Sequence, residues 1–179
     1  MANPISAVLN YRKALGLARR LCERGAGFVT VTPSFIWGMH ADFNNAPMTV
    51  GMEYVGAPFD HAVSAFIEDV ESRGLSDKIL LFGCGEMGRS PYINKDGGQD
   101  HWGNLAPVLL YGGGLKMGQV IGQSSRDGGE PASQPVMMKD HLAISMHPLM
   151  DIGQARLLTG VFSRVIEAMT CGKPIRGLD

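Results

Sequence analysis

The sequence predicts an α/β domain in which a mostly parallel sheet is flanked by helices. Two observations carry that expectation. Helical and strand-like segments alternate through the first half of the chain as helix, strand, irregular stretch, helix, strand, the rhythm of an open sheet with crossover helices. The strand-like segments are short apolar runs, and one of them, Ile79-Leu80-Leu81-Phe82, leads directly into a long glycine-rich loop. Such a loop at a strand's carboxyl end is where open α/β sheets place their ligands.

The elements follow from local patterning. Residues 6–24 place Val8, Leu9, Leu15, Leu17, Ala18 and Leu21 between Arg and Lys residues, a helix stopped by Gly25 and Gly27. Phe28 to Thr32 reads as a short buried strand ended by Pro33. Residues 33–57, rich in Asn, Gly, Pro and Met, read as irregular. A second helix is expected over 61–73, capped by Asp60, with Val63, Phe66, Ile67 and Val70 on one face and Gly74 as terminator. The strand at Lys78–Phe82 comes next. Val108–Tyr111 and Gln119–Gly122 read as two strands joined by a hairpin turn through Gly112–Gly118, an antiparallel element beside the main sheet. That glycine run lacks the Gly-Lys-Ser/Thr ending of a phosphate-binding loop. Residues 124–135 form a polar loop. Helices are expected from Lys139 to about Met150 and over 160–170, followed by a tail at Lys173–Ile175. No repeat or linker divides the chain, so residues 1–179 read as a single domain.

Composition narrows the function. The chain has 179 residues and a 45% apolar share, enough for one domain with a core. A net charge of −1 argues against a nucleic-acid or membrane-surface partner, because no basic field attracts polyanions. No run is long enough to span a membrane, and the amino terminus enters an amphipathic helix without the pattern of a signal peptide. The three cysteines, Cys22, Cys84 and Cys171, show neither a disulfide framework nor zinc-ribbon spacing. Glycine, at 24 residues, is about twice its usual share of roughly 7%, and its excess lies at residues 74–129.

The chemistry concentrates in residues 83–102. This loop carries Glu86, Arg89, Asp100 and His101, and connections of about 20 residues without regular structure are usually functional or disordered. Carboxylates and imidazole are metal ligands, and a guanidinium fork matches tetrahedral oxyanions. His40 and Asp42, in the loop after the first strand, could reach the same sheet edge. Each has a plain structural alternative: Glu86 paired with Arg89 across a turn, Asp100 and His101 as loop anchors, His40 and Asp42 in a solvated loop. His61, His141 and His147 read as packing or surface residues.

These residues resemble a known family, the bacterial proteins catalogued as domain of unknown function 1501, which are similar to sulfatases and belong with the alkaline phosphatase superfamily. The matching stretches are Ala18-Arg19-Arg20-Leu21-Cys22-Glu23 with Phe28-Val29-Thr30-Val31, Glu68-Asp69-Val70-Glu71-Ser72-Arg73-Gly74-Leu75, Gly85-Glu86-Met87-Gly88-Arg89-Ser90-Pro91, Asp100-His101-Trp102, Gly112-Gly113-Gly114 with Gly118-Gln119-Val120-Ile121-Gly122, and His147-Pro148-Leu149-Met150-Asp151-Ile152-Gly153. The resemblance implies part of an alkaline-phosphatase-like domain that hydrolyses a small-molecule sulfate or phosphate ester with a divalent metal, zinc foremost, then manganese or calcium. It implies Glu86, Asp100, His101 and His40 as metal ligands, Asp42 as a substitute ligand, and Arg89 as the oxyanion contact. Two departures stand out. Gly38 occupies the second position of Trp37-Gly38-Met39-His40, where the family usually has Asp. The superfamily's nucleophile also belongs to an amino-terminal half that precedes everything in this chain, so the sequence reads as the carboxy-terminal part. Relatives are typically periplasmic or exported. A half-domain would leave a sheet edge uncovered, from which self-association into a homo-oligomer is expected.

Overall fold

The structure is a computed structural model that describes residues 4–33, 37–146, 152–155, 157, 159, 160, 162–173 and 175–178. The long helix α1 (Pro4–Glu23) lies against α3 (Gly56–Ser72), and the short α2 (Met48–Tyr54) precedes α3 with Val55 alone between them. Pro58 sits in the first turn of α3, where its missing N–H costs no intrahelical bond. The expected Asp60 cap is therefore already inside the helix.

The parallel sheet is not found. Strand β1 (Leu80–Cys84) pairs antiparallel with β4 (Val108–Gly112), with Phe82 opposite Leu110. A second, smaller antiparallel pair joins β2 (Gly88–Arg89) to β3 (His101–Trp102). Each sheet has two strands among the described residues. The fold is thus a mixture of helices with two small antiparallel sheets, which corrects the α/β expectation. The cause of the error is physical. Continuous apolar runs mark strands buried on both faces, usual for parallel sheets, and the β1–β4 ribbon achieves two-sided burial while remaining antiparallel. Leu81 and Leu109 pack into a core with Leu15, Val63, Phe66, Val70, Ile79 and Tyr111. Leu80 and Leu110 pack on the other side with Ile144, Ile175 and Leu178.

Two further strands of the sequence reading are absent. Phe28–Thr32 has no strand partner among the described residues, although Val31 packs against the first core. Gln119–Gly122 is not a strand, and Val120 is almost fully exposed. The glycines that end β4 and follow it redirect the chain instead of closing a hairpin. Gly112, Gly113 and Gly114 all have positive φ (82°, 65° and 72°), a conformation that favours glycine. A Cβ on Gly112 would also collide with the Ile79 carbonyl. Lys116 then donates its N–H to the Leu178 carbonyl (3.1 Å), which docks the end of the chain here.

Of the later helices, α4 covers Met138–Met146, α5 Ile152–Ala155 and α6 Ser163–Thr170. Asp140 reaches back to the Met137 N–H (3.0 Å) as half of a capping box and also accepts the Lys173 N–H (3.0 Å). Residues 147–151, including the His147 motif, lie outside the described residues. No described helix is long and apolar enough to cross a membrane.

Candidate functional site

Two loops far apart in sequence meet at one place. The first, residues 37–46, leads to α2; the second, residues 90–100, connects β2 to β3. Backbone bonds join them: Gln99 N–H donates to the Met39 carbonyl (2.7 Å), and Met48 N–H to the Gly97 carbonyl (3.0 Å). The approach is so close that a Cβ on Gly98 would overlap the His40 carbonyl group.

Asn94 is the hub. Its Oδ1 accepts the N–H groups of Asp96 (3.1 Å) and Gly98 (2.8 Å), shaping its own turn. Its Nδ2 donates across the gap to the His40 carbonyl (3.0 Å) and to Asp100 Oδ1 (3.3 Å). The sequence reading missed this residue. The signal was present in Asn94-Lys95-Asp96-Gly97-Gly98, because Asn and Gly at such spacing make side-chain-closed turns. The bridge to a partner 54 residues away was not visible.

The stitched loops bring together four of the expected site residues. His40 Nδ1 lies 3.2 Å from Asp100 Oδ1. Arg89 Nη1 lies 3.0 Å from His40 Nε2, and Arg89 Nη2 donates to the Trp37 carbonyl (2.7 Å). A guanidinium only donates, so Nε2 of His40 must accept and its proton belongs on Nδ1, facing Asp100. The His101 ring stands against that of His40, with centroids 4.7 Å apart. Trp37 anchors the loop behind them by an edge-on contact with Phe59, at 5.7 Å between centroids. Ala41, directly after His40, has φ 58°. That left-handed conformation costs a non-glycine residue about 1–2 kcal/mol and is sustained by the surrounding bonds.

Two expected residues fall outside this cluster. Glu86 is exposed in the turn between β1 and β2 and makes no hydrogen bond or ion pair among the described residues. Asp42 Oδ1 closes its own turn, accepting from Asn44 N–H (2.8 Å), Asn45 N–H (3.0 Å) and Asn45 Nδ2 (2.8 Å). The Asn44 N–H, followed by the Asn45 amide, holds the Asp42 carboxyl below the usual carboxylate range. Of the remaining histidines, His61 is exposed on α3. His141 sets its ring edge-on to Phe82 at 5.6 Å, and burial pushes its imidazole pKa down against the pull of Asp140.

The donor types present, imidazole and carboxylate, suit zinc. Among the described residues they do not converge into a complete ligand set. Both ring nitrogens of His40 are engaged, by Asp100 and by the Arg89 cation, and among the described residues no three His, Cys, Asp or Glu side chains converge as a ligand set. A catalytic zinc takes about three protein ligands, and here only His101 and the free side of Asp100 remain to offer lone pairs.

The molecule so defined is a mixed helix and ribbon domain with a histidine, carboxylate and guanidinium cluster held between two loops. The chain belongs to the family described as "Protein of unknown function (DUF1501)", which matches residues 10–178. No curated protein and no solved structure matches it.

Proposed function

We propose that this chain carries the histidine-bearing part of a site for sulfate or phosphate monoesters, of the metal-dependent hydrolase type, and that by itself it binds the ester without turning it over. The observation behind this reading is the meeting of His40, Arg89, Asp100 and His101 at one point. Arg89 has five N–H donors and spends two of them on Trp37 and His40. The remaining donors and the exposed imidazole of His101 can address the oxygens of a tetrahedral anion. Asp100 fixes the His40 ring, Asn94 holds the His40 carbonyl and Asp100, and the His40 ring in turn fixes Arg89.

The hydrolytic half of this reading is supported by the family resemblance. Near the cluster, the Ser90 hydroxyl is occupied with the backbone of Tyr92, donating to its carbonyl and accepting its N–H (both 3.0 Å). Divalent zinc, with manganese or calcium as alternatives, would need a further donor beside His101 and Asp100.

The test is a titration with p-nitrophenyl phosphate and p-nitrophenyl sulfate, with and without each metal, following binding by calorimetry and release by absorbance. His101→Ala is the clean variant, because that side chain is exposed. The expected result is saturable ester binding, weakened several-fold in His101→Ala, with no release. Release that disappears in Glu86→Ala would show a complete catalytic site, and absence of binding would remove the anion reading altogether.

A further inference from the structure

Helix α1 buries one face and displays another. Leu15 and Ala18 are buried on the side of α3, with Tyr11 and Cys22 packed at the edge of the core. On the opposite side Leu9 and Leu17 are 48% and 57% exposed, interleaved with the exposed cations Arg12, Lys13 and Arg20. Gly16 lies in the middle, and a Cβ there would meet nothing within 4 Å. The result is a hollow lined by Leu9, Arg12, Lys13, Gly16, Leu17 and Arg20.

The spacing of these six residues identifies the shape. Leu9, Arg12, Lys13 and Gly16 form an i, i+3, i+4, i+7 diamond, and Lys13, Gly16, Leu17 and Arg20 form the next one. Such a diamond is the hole that receives a side-chain knob from a neighbouring helix. Two in succession, with a glycine at their shared edge, suit a second helix approaching closely along α1. A flat lipid surface would use the leucines and cations but would leave the holes unfilled.

Charge selects the partner. The rim is cationic, and α1 has no acidic residue before Glu23. A second copy of this face would set Arg12, Lys13 and Arg20 against their own kind, and like charges across an interface are costly. We propose that this face of α1 docks an amphipathic helix with acidic flanks, a partner of opposite charge and not a second copy of α1. Its leucine-type knobs fill the two holes, and its carboxylates meet the rim.

The test uses a fluorescent synthetic helix of about 18 residues with apolar side chains at three- and four-residue spacing and Glu on both flanks, beside a twin with Lys in place of Glu. Binding to the full chain is read by anisotropy. The Glu peptide is expected to bind saturably, and the Lys twin and Arg20→Glu each to weaken binding by about tenfold or more. Gly16→Leu fills the hollow from the solvent side and replaces a mid-helix glycine with a better helix former. It should keep the fold, checked by thermal melting, and lose binding to the same degree. Equal binding of the two peptides, or unchanged affinity in Gly16→Leu, overturns the proposal. So does binding to phosphatidylglycerol vesicles in place of the peptide, or a dimer of the chain that Gly16→Leu dissolves.

Discussion

The α1–α3–ribbon core and the loop cluster around His40 sit in one small molecule but are built on different principles. The core is specified by many interchangeable apolar contacts: Leu15, Ala62, Val63, Phe66, Val70, Ile79 and Tyr111 all bury against one another. The cluster rests on a few directional bonds, chiefly those of Asn94, Arg89 and Gln99, and on the space left by Gly98. Apolar burial is non-directional and spread over many residues, whereas a hydrogen bond fails if either partner moves by much. The core should therefore lose stability in proportion to what is removed. The cluster should lose its geometry before the molecule loses its fold.

The largest effect should come from the core. Phe66 is 7% exposed and central to the apolar cluster. Phe66→Ala is expected to cost about 3–5 kcal/mol through lost burial and the cavity left behind, seen as a lower denaturant midpoint. The loop cluster around His40 should persist until the whole molecule unfolds. If the histidine signals of the cluster change well before the global transition in this variant, the two regions are not separable as described.

An intermediate effect should come from Gly98→Ala, which adds one methyl group against the His40 backbone. The neighbour is a peptide group, so the loops themselves must part, at a cost of about 1–3 kcal/mol typical of overpacking. The His40–Asp100 contact should open and the proton NMR shifts of both histidines should move. Near-ultraviolet signals from the core should stay. Unchanged histidine shifts would mean that the two loops tolerate displacement, and the contrast with the core would fail.

How much of this was legible in the sequence follows the same division. Helices α1 and α3 were readable because an apolar stripe at helical spacing has one interpretation once it is long enough. The short α2 was not, since it contains Gly51, has no side-chain cap and is separated from α3 by Val55 alone. The strand-like runs were legible at Lys78–Phe82 and Val108–Tyr111, overlapping β1 and β4, but their mutual direction was not. An apolar run buried on both faces carries no record of whether its neighbour runs parallel. At the candidate site, residue type singled out His40, Arg89, Asp100 and His101, which the fold brings together. It also singled out Glu86 and Asp42, which the fold leaves apart, because the choice is made by long-range bonds through Asn94 and Gln99.

The smallest effect isolates one polar bond inside the apolar region. The Tyr111 hydroxyl donates to Glu71 Oε1 at 2.5 Å, joining β4 to α3. Burial first, and the Glu71 carboxylate second, push the Tyr111 pKa from 10.0 up to about 12. A raised folded-state pKa means that the native protein holds this proton more tightly than the unfolded chain does. The stabilisation is therefore fully present below pH 10 and is lost as pH rises toward 12. Tyr111→Phe keeps the ring in the core and removes only the bond. It should cost about 0.5–1.5 kcal/mol at neutral pH, with Glu71 free to turn to water. The sharper readout is the slope. Denaturation midpoints of the native sequence should fall through that alkaline window more steeply than those of Tyr111→Phe, because the variant has no phenol to release at this position. Parallel slopes would mean that the hydroxyl ionises in the folded state as easily as in the unfolded chain. The ring would then act in the core as a purely apolar residue, and the division between the two regions would be cleaner than the Tyr111–Glu71 bond implies.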